Sequence, residues 1–307
     1  MLIGSPKPSA SRRLSEVYLP QEEPPNLRGL LFMQNKDETV EVLRYSGQSD
    51  PGTPPDIPED AVVDGRVYIS IDGIGQDWAK HRSQIRDWFH GGADYGVELP
   101  GPVVGIHEGE GKSGLHDGAR VFKNTLFTKA LQAGLSVETL RDKVYANDPS
   151  VKTIHDQLAQ SLRVGRQVTV MAHSGGGSQV ALALALMAGD ETADWKPQIA
   201  ERVRVLGTAP AGHRKDLEWA GVEPDNIMMT GSQRDPIYRF YRNHIDIQRP
   251  WTFLKFLSDG VGAAIDFAVN PGPYHQGEYI FQQNRHGEEH RIGDFLAGGV
   301  GKDSPLR

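Results

Sequence analysis

Residues Val168-Thr-Val-Met-Ala-His-Ser174-Gly-Gly-Gly-Ser-Gln-Val-Ala-Leu182 change their grammar twice within one short stretch. Val168 to Ala172 is an apolar run of strand length, rich in β-branched residues. A turn of small residues follows. From Ser178 to Met187 the chain is apolar without strand alternation and reads as a long buried helix. A strand passing through a tight turn into a helix is the unit from which parallel sheets with helical crossovers are built.

The same alternation continues on both sides. Upstream, Arg66 to Ile71 reads as a strand stopped by Asp72-Gly73, and Asp77 to Phe89 as an amphipathic helix. Val103 to Ile106 is a short buried strand, and Val151 to Leu162 a helix through Ile154, Leu158 and Leu162. Leu27 to Met33 and Thr39 to Arg44 read as two strands joined at Asn35-Lys36-Asp37. Downstream, Arg202 to Leu206, Ile227 to Met229 and Glu278 to Phe281 read as strands, with helices at Trp251 to Val269 and Ile292 to Leu296. The expectation is one doubly wound α/β domain over 27–307, with a mostly parallel sheet and helices on both faces. Residues 1–26, punctuated by five prolines, bury little apolar surface and read as a flexible tail. Two segments, 108–147 and 237–268, are candidate lids.

Composition narrows the chemistry. The 307 residues carry 33 Lys+Arg against 40 Asp+Glu, a formal charge of −7, and no cysteine. Thiol nucleophiles, disulfides and Cys-ligated metals are therefore excluded. The acidic balance argues against nucleic acid as a partner. The longest apolar run, Val180 to Ala188, is about half of what a membrane span needs. No apolar core of the secretory kind stands near Met1, so the expectation is a soluble chain, cytoplasmic or exported without a cleavable signal.

Ser174 sits at the turn between strand and helix, in Ala172-His173-Ser174-Gly175-Gly176. A sharp strand-to-helix turn strains the serine backbone and lifts its Oγ above the sheet edge. The residues two before and two after must be small, and Ala172 and Gly176 are. The turn also brings the Gly175 N–H to a helix start, where it can stabilise an oxyanion. The plainer alternative is a serine that only caps the helix. With these residues the chain resembles the α/β-hydrolase superfamily in its lipase/esterase-like form, whose nucleophile elbow is G-x-S-x-G.

That resemblance, which extends over most of residues 60–297, implies a triad in the order Ser, acid, His. Asp235, in Gly231-Ser-Gln-Arg-Asp235-Pro236, lies where the acid is expected. His290, before the terminal helix, takes the place of the base; His275 and His286 are its rivals. The second oxyanion donor is expected at Gly73 or Ile74, opposite Gly175. Asp72 departs from the His-Gly or Asn-Gly that the family often has there. The reaction implied is ester hydrolysis through an acyl-enzyme, with no metal and no cofactor. The substrate is a small-molecule or lipid ester, and transient contact with a membrane surface is compatible with it. Arg234, Arg239, Tyr238 and Trp251 form a basic-aromatic stretch that reads either as a solvated surface or as a wall of the substrate site.

Three patterns compete with this reading. His286-Gly-Glu-Glu-His290 matches the inverted zinc-peptidase motif, but Gly287 weakens its helix and little chain follows to supply a third ligand. Gly105 to Ser113 nearly spells a P-loop, with Ile106 where the first glycine belongs and Glu108 and Glu110 in the cradle. Gly175 to Val180 fails the dinucleotide pattern at Val180. A non-catalytic binding module on the same fold is the remaining alternative.

Overall fold

The structure is a computed structural model, and it describes residues 29–44, 57–73, 76–94, 99–108, 114–208, 210–232, 292, 294–299, 301 and 304–306. The strands are β1 (Leu30–Gln34), β2 (Val40–Arg44), β3 (Arg66–Ile71), β4 (Val103–His107), β5 (Gln167–His173), β6 (Val203–Thr208), β7 (Ile227–Ser232) and β8 (Ser304–Leu306). They form one sheet in the order β2-β1-β4-β3-β5-β6-β7-β8. β1 runs antiparallel to both of its neighbours, and every pair from β4 to β8 is parallel.

Period-two alternation along the strands supplies two cores. In β3, Val67, Ile69 and Ile71 face one side and Tyr68 the other. The first side is covered by α3 (Val137–Asn147), α4 (Pro149–Arg163), α5 (Gly176–Ala188), α6 (Trp195–Arg202) and α7 (Arg214–Trp219), which place Leu140, Ile154, Leu184, Ile199 and Leu217 in one cluster. Ile85, Trp88 and Phe89 of α1 (Trp78–Asp94) cover the other side together with Ile292, Phe295 and Leu296. The expected fold class stands: a doubly wound α/β sheet with helices on both faces.

Local chemistry explains the helix boundaries. Ser136 Oγ accepts the Thr139 N–H at 3.3 Å and starts α3. Asp148 caps α4, with Pro149 at the first helical position, where its missing N–H costs nothing. α5 is buried from Gly176 to Met187 and apolar from Val180 onward, as a helix between other helices and a sheet must be.

The structure adds elements that the pattern did not foretell. α2 (Gly114–Gln132) and α3 fill much of the candidate lid 108–147, and Leu131, Val137, Leu140 and Val144 lie in the main core. α6 and α7 are too short to show a period. α1 continues to Asp94, past the expected end at Phe89. A strand follows the terminal helix: β8 pairs with β7, Gly231 opposite Pro305. Residues 1–26, the candidate lid at 237–268 and the expected elements at 251–269 and 278–281 lie outside the described residues.

Strand order locates a crevice. The chain leaves β3 for β4 on one side, then crosses to β5 on the other and continues outward to β6 and β7. Connections therefore diverge between β3 and β5, and open α/β sheets bind ligands at the carboxyl ends of such a pair. Residues 72–73 and 174–175 lie there.

Candidate active site

Ser174 directly follows β5 and has φ +46°, a left-handed conformation rare for a side-chain-bearing residue. Such strain costs on the order of 1–3 kcal/mol and persists only where the surroundings impose it. The Ser174 N–H donates to the Thr208 carbonyl at 3.1 Å, which extends the β5–β6 ladder by one bond. Its carbonyl accepts from Gly177 N–H at 3.0 Å and Ala211 N–H at 2.6 Å. The residue is thus clamped from both sides as the chain turns from strand to helix, and it is buried.

The glycines around it answer to close approach. A Cβ at Gly176 would stand 2.7 Å from the Asp72 carbonyl oxygen and 2.8 Å from Ile71 Cγ2. A Cβ at Gly177 would meet Pro210 Cβ at 2.7 Å. The start of α5 therefore rests directly on the end of β3, and only glycine fits.

Gly73 lies on the same contact. Its N–H donates to Gln76 Oε1 at 3.3 Å, and Gln76 Nε2 lies 3.2 Å from His173 Nδ1. Because Oε1 receives the Gly73 N–H, the amide nitrogen must donate to His173, whose Nδ1 is then the acceptor. Gln76 therefore ties the Gly73 turn to the residue before Ser174. A Gly73 oxyanion donor is free only when this glutamine releases it. Ile74, the other expected donor, lies outside the described residues, as do Asp235, His275, His286, His290, Arg234, Arg239, Tyr238 and Trp251.

Behind the turn is a buried polar cluster that sequence reasoning did not assemble. Asp72 Oδ1 accepts the Glu108 N–H at 2.6 Å, and Oδ2 contacts His107 Nδ1 directly. His81 Nδ1 stands 3.4 Å from the same oxygen, and His81 Nε2 is 3.2 Å from Ser70 Oγ. Burial by itself would raise the Asp72 carboxyl, but His81, His107 and the Glu108 N–H together hold it below the usual carboxylate range. Burial pushes the His81 imidazole down to about 4, against the pull of Asp72. Asp72 and His107 are the residues after β3 and at the end of β4, while His81 belongs to the first turn of α1. No sequence motif links the three, because the pairing of β3 with β4 and the packing of α1 against that sheet bring them together.

A second network adjoins it. Arg120 contacts the Glu108 carboxylate and lies 3.5 Å from Asp148 Oδ1. Asp148 also accepts from Asn124 Nδ2 at 2.8 Å and from Gln179 Nε2 at 3.0 Å. Gln179 belongs to α5, so the helix that starts at the serine turn is pinned to the cap of α4.

No protein-family model matches the chain, and no curated protein matches it. Among solved structures, the poly(3-hydroxybutyrate) depolymerase LpqC from Bordetella parapertussis is similar at a TM-score of 0.27 and 14% identity, over 78% of this chain and 71% of that one. A likeness of that size carries no argument, and the fold rests on the strand order and register described above. Among the described residues, no helix is long and apolar enough to cross a membrane.

Proposed function

We propose that the chain is a serine hydrolase of the α/β-hydrolase type that cleaves a small-molecule or lipid ester. One observation supports this above the others: Ser174 takes φ +46° in a strand-to-helix turn at the carboxyl end of the sheet, where the strand order diverges. A serine that merely capped α5 would have no need of left-handed backbone, because N-cap residues sit in the extended region.

In the proposed reaction, Ser174 Oγ attacks the acyl carbonyl and gives its proton to a histidine, His290 in the first reading and His275 in the second. Asp235 orients that imidazole and stabilises its charged form. The tetrahedral oxyanion is held by the Gly175 N–H and an N–H of the 73–74 turn. Collapse expels the alcohol, protonated by the imidazolium. Water, deprotonated by the same histidine, then releases the acid and restores the serine hydroxyl. Arg234 and Arg239 would receive an anionic group, and Tyr238 and Trp251 the apolar part of the substrate.

The test is turnover of aryl esters of increasing acyl length, with and without an anionic head group. Wild type should hydrolyse at least one series, and Ser174→Ala and Asp235→Asn should lose at least about a hundredfold in kcat. Equal loss in His290→Ala, with His275→Ala near wild type, assigns the base; the reverse pattern assigns His275. A folded wild type that turns over none of the series removes the proposal.

A further inference from the structure

The three side chains behind the Gly73 turn offer metal-ligand chemistry. Asp72, His81 and His107 are each 0% exposed. One potential ligand atom from each lies within 4.8 Å of the other two. They come from three separate elements, β4, α1 and the end of β3, so the cluster is a product of the fold and not of one helix or loop.

The individual geometries point inward. Ser70 Oγ lies against His81 Nε2, which orients the ring so that Nδ1 faces Asp72. Among the described residues, that buried Nδ1 makes no hydrogen bond and has only the Asp72 carboxylate beside it. The Glu108 N–H holds Asp72 Oδ1, which turns Oδ2 toward both imidazoles. These are the supports that metal ligands ordinarily have: an outer hydrogen bond on the histidine and another on the carboxylate.

The surroundings suit a bound cation better than a bare carboxylate. Among the described residues, the side chains set against the Asp72 charge are two imidazoles, and an imidazole is not a fixed cation. Burying a carboxylate without a firm counter-charge is costly. Aromatic rings cover the cluster edge-on, with Phe32 5.2 Å from the His81 ring and Trp78 5.6 Å from that of His107.

We propose that Asp72, His81 and His107 bind a first-row transition dication of the zinc class, through Asp72 Oδ2 and the two Nδ1 atoms. Zinc binds imidazole nitrogen and carboxylate oxygen at about 2.0–2.2 Å, which sets neighbouring ligands about 3.3 Å apart in a tetrahedron. The His81–Asp72 separation of 3.4 Å already meets this. The His107–Asp72 contact opens by about 1 Å to admit the ion. Two nitrogens and one oxygen favour zinc, cobalt or iron over magnesium and calcium, which take oxygen sets. The ion would serve as a strut joining β3, β4 and α1. It takes no part in the reaction proposed for Ser174, and it stands or falls independently of that reaction.

The 307-residue protein is stripped with a chelator, titrated with Co²⁺ and then with Zn²⁺, and the zinc form is studied by X-ray absorption. The expected results are one Co²⁺ per chain with visible ligand-field absorption, displacement by Zn²⁺, and two imidazole nitrogens about the zinc. His81→Gln, His107→Gln and Asp72→Asn should each weaken binding at least tenfold, whereas Ser174→Ala binds as wild type does. X-ray absorption on the wild type keeps the test decisive where a variant fails to fold. No stoichiometric uptake overturns the proposal, as does uptake that survives all three substitutions or zinc without imidazole ligands.

Discussion

Gly73 and Ser174 stand so close that a Cβ on the glycine would lie 2.7 Å from the serine Cβ and 2.7 Å from His173 Nδ1. The ends of β3 and β5, adjacent and parallel, press an oxyanion candidate onto a nucleophile candidate with no room between them. Gly73→Ala is therefore expected to push the two apart. Overpacking of this kind costs about 1–3 kcal/mol. On the proposed reaction it also lowers the rate of serine modification by about a hundredfold, the scale of a lost oxyanion donor. Urea unfolding and the rate of fluorophosphonate labelling measure the two effects; an unchanged rate would remove Gly73 from the site.

The φ of +46° at Ser174 predicts an order of stabilities. Ser174→Ala keeps the strain and Ser174→Gly relieves it, so the glycine variant should be the more stable by about 1 kcal/mol. Both should be inactive. Denaturant midpoints of the two proteins, at equal m-value, give the comparison. An alanine variant as stable as the glycine variant would mean that the turn is not strained.

Arg120 is buried between Glu108 and Asp148. Removing it by Arg120→Met leaves both carboxylates without that cation and should cost about 3–5 kcal/mol, or abolish folding. Adding Glu108→Gln should recover part of the loss, on the order of 1 kcal/mol, because the two sites share one interaction. Equilibrium unfolding of the single and double variants tests the coupling; strictly additive losses would deny it.

Acid should loosen the contact between α3 and the end of α5. Burial alone would raise the Asp190 carboxyl, but the Thr192 hydroxyl and N–H and the Arg141 guanidinium hold it below its ordinary value. A carboxyl depressed on folding stabilises above its unfolded pKa of about 3.9, and that contribution is lost as pH falls through the lower folded value. Asp190→Asn should therefore lower the melting temperature near neutrality and not at the acid end of the scan. A gap between wild type and variant that stays constant with pH would contradict this.

Much of the fold was legible because burial writes itself into residue choice. β3 and β5 are apolar runs closed by Asp72-Gly73 and by the glycines after Ser174, and the structure places them within a residue or two of expectation. The strand-to-helix turn at Ser174 was legible because close backbone approach demands glycine at a fixed spacing from the serine. α6, α7 and β8 were not: they run eight, six and three residues, too few for a period to show, and β8 has Pro305 at its centre. The Asp72–His81–His107 cluster was hidden for another reason. Its members come from two strand ends and the first turn of α1, and Asp72 stood out in the sequence only as a departure from the α/β-hydrolase pattern. Gln76 likewise carries no signal until Gly73 and His173 are seen on either side of it.

Adduct mapping asks directly whether Ser174 is the nucleophile. Folded wild-type protein is treated with a fluorophosphonate, digested, and the modified peptide sequenced by mass spectrometry. A nucleophilic Ser174 gives a single adduct on that residue, absent from Ser174→Ala and slowed in Gly73→Ala. No adduct on Ser174 in folded protein, or labelling that persists unchanged in Ser174→Ala, would contradict it.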